Sequence, residues 1–206
     1  MSSQFNYTLL STAYLPPIDY FRAIKSSSHW RLERHESYTK QSYRNRSFIY
    51  SANGPLALHI PIVREPKSAS KLIPLQEIDY SYNWQINHWR ALVSAYNSTP
   101  FFLYYKDELH HFYTTHYPTL FEFNTKLLEL LLSLLGFSTT IIMSDSYLKE
   151  GNFLDFRNSI HPKRGSPLDI EQREYHQHFK HKMGFKKNLS IVDLLFNEGS
   201  SAPLYL

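Results

Sequence analysis

The residues best equipped for chemistry lie in one ten-residue stretch, Ser37-Tyr38-Thr39-Lys40-Gln41-Ser42-Tyr43-Arg44-Asn45-Arg46. Three cations, two amides and two tyrosines precede a β-hairpin signal. Read as an extended strand, the stretch places Lys40, Ser42, Arg44 and Arg46 on one face, because strand side chains alternate. Two arginines two residues apart can then fork onto a phosphate or a carboxylate. Asn45 would orient such an anion, and Tyr14 and Tyr43 would line the pocket. The competing reading is a solvated edge strand guarded by charge.

His88 is the first choice for proton transfer, since imidazole alone titrates near neutrality without large perturbation. Trp84, His88 and Leu92 recur at i, i+4 and i+8, so the ring lies on a largely apolar stripe. That spacing equally describes a hydrogen-bonded core histidine. A second basic cluster, Asp155-Phe156-Arg157-Asn158-Ser159-Ile160-His161-Pro162-Lys163-Arg164, offers Arg157 and Lys163 to close over an anionic ligand. His176, His178 and His181 sit at i, i+2 and i+5, which spreads them around a helix, and no metal site is expected.

Other chemistries are excluded. The chain has no cysteine and six dispersed glycines. Thiolate zinc, iron–sulfur clusters, disulfides, cysteine nucleophiles, the Walker A loop and the G-x-G-x-x-G turn are therefore absent. There is no G-x-S-x-G elbow and no H-E-x-x-H. The sequence names no cofactor. A formal charge of +4 over 206 residues is modest, and without a recognisable module it argues against a dedicated nucleic-acid binder. No run is long enough to span a membrane: the most apolar, Leu127 to Leu135, is interrupted by Glu129. With no signal peptide visible at the start, a cytoplasmic location is expected.

The elements that must hold these residues suggest an α/β fold, a mixed central sheet including a β-hairpin with helices packed against it. Residues 1–206 read as a single domain. Tyr7 to Leu10 is a buried strand, and Pro16-Pro17 opens a helix whose Ile18, Phe21 and Ile24 keep helical spacing. His29 to Arg34 is a weaker strand. Ser47 to Tyr50 and Leu56 to Val63 flank the turn signal Asn53-Gly54. Arg64 to Lys71 is a polar loop, and Leu72 to Tyr80 a further strand with Pro74 at its start. Asn83 caps a helix to about Asn97. Thr119 and Glu122 form a capping box before a leucine-rich helix ending at Gly136. Phe137 to Met143 is a buried strand, residues 144–169 a long irregular loop, Ile170 to Met183 a helix, and Ser190 the start of a last helix stopped by Gly199.

Several of these segments together resemble the WbqC-like protein family: Tyr14-Leu15-Pro16-Pro17-Ile18-Asp19-Tyr20-Phe21, then Tyr38 through Arg46, then Asn83-Trp84 with His88, and finally Gly184 through Gly199. They occur in the family's order and span nearly the whole chain. The resemblance implies a bacterial cytoplasmic protein associated with surface-polysaccharide loci, and carries over no established reaction. Many members hold Gln-Pro-Tyr near the first strand and an acidic pair before the Tyr-x-Lys element, where this chain has Thr12-Ala13-Tyr14 and Arg34-His35. The expected partner is a small anionic metabolite, such as a nucleotide-activated sugar, with group transfer from an activated sugar or acyl donor as the reaction to test. A non-catalytic binding or scaffold protein in a biosynthetic complex is the alternative, and the sequence does not choose between them. Nor does it fix the oligomeric state.

Overall fold

The computed structural model describes residues 6–63, 72–138, 140–168 and 171–206. Strand β1 (Tyr7–Leu10) is central in a parallel sheet, with β2 (Trp30–Leu32) on one side and β5 (Phe153–Asp155) on the other. Leu9 is opposite Arg31 and Asp155, so all three strands end at one edge. A separate antiparallel hairpin pairs β3 (Arg46–Ser51) with β4 (Gly54–His59). The architecture is the expected mixed α/β one, with helices packed around both sheets.

Helix α1 (Ile18–Lys25) follows the two prolines. Its first amides are satisfied from elsewhere in the chain: Ile18 N–H donates to Leu189 O and Asp19 N–H to Asn188 Oδ1. Ile18, Phe21 and Ile24 are all buried. Helix α2 (Trp84–Tyr96) starts after Asn83, whose side chain makes no capping bond. Helix α4 (Leu120–Leu134) shows half of the expected capping box, Glu122 N–H donating to Thr119 Oγ1 at 3.2 Å. Its Leu127, Leu128 and Leu131 enter the main core with Phe21, Leu194 and Phe196. Helix α6 (Ile191–Glu198) is capped by the Ser190 hydroxyl and ends at Gly199. That glycine has φ +56°, and a Cβ there would fall 2.5 Å from the Phe101 ring, so the stop requires glycine.

Four expectations change. Leu72 to Tyr80 is not a strand but a 3₁₀ turn, Ile73–Leu75, between isolated bridges, and Pro74 lacks the N–H a continuous ladder needs. Among the described residues of the stretch Phe137 to Met143 there is one parallel bridge, Leu32 to Met143, and Ile142 is exposed. Of the helix expected over 170–183, α5 (Lys180–Met183) is what forms among the described residues. Residues 171–177 are non-helical, and Gln172, Tyr175 and Gln177 bond instead to Asn188 N, Asp193 and Lys186 N. Helix α3 (Phe102–Phe112) was not foreseen, and β5 lies inside the loop 144–169. The Arg64 to Lys71 loop lies outside the described residues. Among the described residues no helix is long and apolar enough to cross a membrane.

Candidate functional site

The basic segment is not extended. Residues 40–44 form turns, with Gln41 in the left-handed region at φ +58° and Ser42 Oγ bonded to Thr39 O at 2.6 Å. The one-face arrangement of Lys40, Arg44 and Arg46 is therefore lost, because turns abolish strand alternation. Lys40 is exposed, Arg44 is buried and Arg46 half-buried at the start of β3. Lys163 reaches across to the Gln41 side chain.

Arg44 turns inward to the carboxyl ends of the parallel strands. Its Nε donates to Glu36 Oε1 at 2.9 Å and one terminal nitrogen to Ser11 Oγ at 2.8 Å, while that nitrogen also ion-pairs with Glu36 Oε2. Arg157, just past β5, donates to Glu33 Oε2 at 3.1 Å and to both oxygens of Asp155. Its guanidinium also lies 4.9 Å from the centre of the Tyr147 ring. Ser11 follows β1, Glu33 follows β2, and Glu33 and Glu36 are both buried. Burial pushes the Glu36 carboxyl up, and the neighbouring Glu33 adds to this, although Arg44 and Ser11 oppose it. Ser11, Thr12, Tyr43, Arg44 and Arg157 are among the walls of a recess of about 10 Å³, room for one water.

A second, wider cleft of about 330 Å³ is lined by His59, Pro61, Tyr82, Trp84, Asn87 and His88. Of the expected residues only His88 lines it; Tyr14 bonds to His88 behind the wall, and Asn45 and Arg46 adjoin His59. His88 Nε2 accepts the His59 backbone N–H at 3.2 Å. The neutral ring then carries its proton on Nδ1 and donates it to the Tyr14 oxygen, 2.9 Å away. Tyr14, fully buried, passes its own proton toward Tyr113 Oη at 3.0 Å. Burial, reinforced by His59, lowers the His88 pKa to about 4. Both ring nitrogens are thus engaged, and the ring is neutral at neutral pH.

The same reasoning fixes His59. Asn45 Nδ2 donates to Ile60 O at 2.8 Å, which sets the amide's orientation, and also donates to His59 Nε2 at 2.8 Å. The His59 proton therefore sits on Nδ1. Partial desolvation, then the Arg46 charge, lower its pKa, as expected of cross-strand neighbours: Arg46 and His59 are partners in the hairpin. No carboxylate among the described residues ion-pairs with Arg46, and its buried Nε has no hydrogen-bond partner among them. The His59 ring and the exposed Tyr82 ring thus form part of the cleft wall, and Arg46 lies beside that wall as the hairpin partner of His59.

The sequence profile of the WbqC-like protein family matches residues 12–165, a span containing every group just described except Ser11. The chain belongs to the WbqC-like protein family. It is also 27% identical over 223 residues to an uncharacterized protein of Mycobacterium tuberculosis, covering 96% of each chain. No solved structure matches it.

Sequence reasoning missed Ser11, Glu33, Glu36 and His59, and gave Asp155 no role beside Arg157. Glu33 and Glu36 flank Arg34-His35, the positions where the family's acidic pair was sought. His59 was readable from the hairpin: once Ser51 is opposite Gly54, Arg46 is opposite His59. Among the described residues no group of three or more His, Cys, Asp or Glu could hold a metal ion.

Proposed function

We propose that this WbqC-like protein binds an anionic, ring-bearing metabolite of bacterial surface-glycan assembly in the His59–His88 cleft, a nucleotide-activated sugar being the ligand to test first. The observation that carries this reading is Arg46, whose buried Nε lacks a partner among the described residues. Leaving such a group unsatisfied costs about 1–3 kcal/mol or more, a cost that an anion seated between Arg46 and His59 Nδ1–H removes. Tyr82 supplies a face for a sugar or base, and a volume of about 330 Å³ is in the range of small-molecule sites.

Within this reading Asn45 and His88 are positioning residues. Asn45 sets the His59 tautomer, and His88 holds the His59 backbone through its N–H. His88, with no free lone pair, is no longer the first choice for proton transfer. Group transfer from the bound donor is the reaction class that fits an activated sugar. The test is a thermal-shift screen with nucleotide sugars, sugar phosphates and carboxylates, since a specific ligand raises the melting temperature by mass action. At least one nucleotide sugar stabilises the wild type and not Arg46→Ala. A screen in which none discriminates between the two proteins defeats the proposal.

A second reading, a non-catalytic binding or scaffold protein, takes support from Leu103 and Tyr104, adjacent and strongly exposed on α3. It predicts that a charge placed at Tyr104 abolishes association with a partner while ligand binding survives.

A further inference from the structure

The carboxyl ends of β1, β2 and β5 hold a cluster that the cleft does not use. Open parallel sheets bind ligands just beyond the carboxyl ends of their strands, where neighbouring connections diverge. Here β1 lies between β2 and β5, and Ser11, Glu33, Asp155 and Arg157 emerge at that edge. Three carboxylates and two guanidiniums meet there. Burying such pairs is seldom the most stable way to fill a fold, so their presence asks for another reason. Thr12 gives a second sign: it lines the recess, is 1% exposed, and its hydroxyl has no partner among the described residues.

The two buried glutamates are not equivalent. Glu33 is held by Arg157, by the Ser144 hydroxyl at 2.6 Å, and by the backbone N–H groups of His35 and Leu148. Glu36 is held by Arg44 and the Ser11 hydroxyl. The charged and titratable groups facing it are Arg44, Glu33 and Tyr20. Glu36 therefore has only Arg44 and Ser11 to release, where Glu33 has four partners, and burial also acts against the ionised form of Glu36.

We propose that this edge is a second ligand site, for a small oxyanion (a phosphate or carboxylate group), which replaces the Glu36 carboxylate on Arg44 while Glu36 takes up one proton from solvent. The space vacated by the carboxylate, joined to the recess, is the seat. Arg44 supplies two parallel donors, the Ser11 hydroxyl rotates its proton from Glu36 to the anion, and the Thr12 hydroxyl gains its missing partner. The site shares no wall residue with the His59–His88 cleft, so a protein carrying both binds two anionic groups at once.

Titration calorimetry on the full chain tests this, with sulfate standing in for phosphate and trifluoroacetate for carboxylate, neither of which changes charge near neutral pH. Repeating each titration in buffers of different ionisation heat counts the protons. Binding with uptake of close to one proton is expected, the affinity rising about tenfold for each pH unit of acidification above the Glu36 pKa. Glu36→Gln binds without proton uptake and without pH dependence, and the isosteric Thr12→Val binds about tenfold more weakly, as loss of one hydrogen bond to a charged group implies. Whichever anion binds more tightly names the source, and either result supports the site. Arg46→Ala leaves this binding unchanged, which separates it from the cleft. Absence of saturable binding by both anions, binding without proton uptake in the wild type, or loss of binding in Arg46→Ala overturns the proposal.

Discussion

Arg44 and Arg46 are two residues apart and have opposite fates. Arg44 is 3% exposed and enters a lattice in which Glu36 and Ser11 meet its nitrogens. Arg46, half-buried on the hairpin, faces His59 and has no ion-pair partner among the described residues. The difference arises from the turns at 40–44, which rotate one guanidinium toward the parallel sheet and leave the next on the hairpin opposite His59. A charge in a fold acquires meaning from what neutralises it. The Arg44 charge is neutralised inside the fold by Glu36, whereas Arg46 has no ion-pair partner among the described residues and its buried Nε no hydrogen-bond partner among them.

The contrast can be broken most forcefully through stability. Glu36→Ala leaves Arg44 buried and unpaired, and should cost about 3–5 kcal/mol in urea or thermal unfolding. Arg46→Ala should cost less than about 1 kcal/mol. Equal losses would erase the distinction. Removing both charges together, Glu36→Gln with Arg44→Met, should recover most of the stability lost in Glu36→Ala.

Asp193 sharpens the point from another side, as a buried carboxylate held by tyrosines. Tyr96 and Tyr175 donate to it at 2.8 and 2.6 Å, and burial still raises its pKa to about 6. The native state then binds this proton more tightly than the unfolded chain does. The contribution is complete below the unfolded pKa, near 4, and is lost as pH rises through about 6. Asp193→Asn should remove roughly 3 kcal/mol of that decline, measured as the change in unfolding free energy between acid and neutral pH. An unchanged pH slope would mean that Asp193 is ionised in the native protein throughout this range.

His88→Ala should cost about 1–3 kcal/mol, because the His59 N–H and the Tyr14 hydroxyl lose their partner. The ring's proton should stay on Nδ1 in nitrogen NMR until the pH approaches 4. At the small end, Lys163→Ala should change stability by no more than about 0.5 kcal/mol, since its contact with Gln41 is exposed.

Much of the frame was legible because it rests on local rules. Pro16-Pro17 marked α1, Thr119 with Glu122 marked α4, and Asn53-Gly54 marked the hairpin, although the two turn residues are Ala52 and Asn53 with Gly54 at φ +105° after them. The site was only half legible. Tyr14 bonds to His88, Asn45 and Arg46 adjoin His59, and the hairpin register that brings His59 to Arg46 follows from the turn. Nothing local shows that Arg44 pairs inward: its partners include Ser11, 33 residues away, and the carbonyl of Arg157, 113 residues away. The three-residue strand β5, which delivers Arg157, is too short to leave a period. The helix expected at 170–183 failed because Gln172, Tyr175 and Gln177 are spent on tertiary hydrogen bonds.

The most direct test is a nucleotide-sugar titration on wild type, Arg46→Ala and Glu36→Gln proteins at one pH and salt concentration. An unpaired Arg46 predicts at least about tenfold weaker binding in Arg46→Ala, as expected for loss of a charge-assisted contact, with its melting temperature nearly unchanged and Glu36→Gln close to wild type. Full affinity in Arg46→Ala would contradict the account.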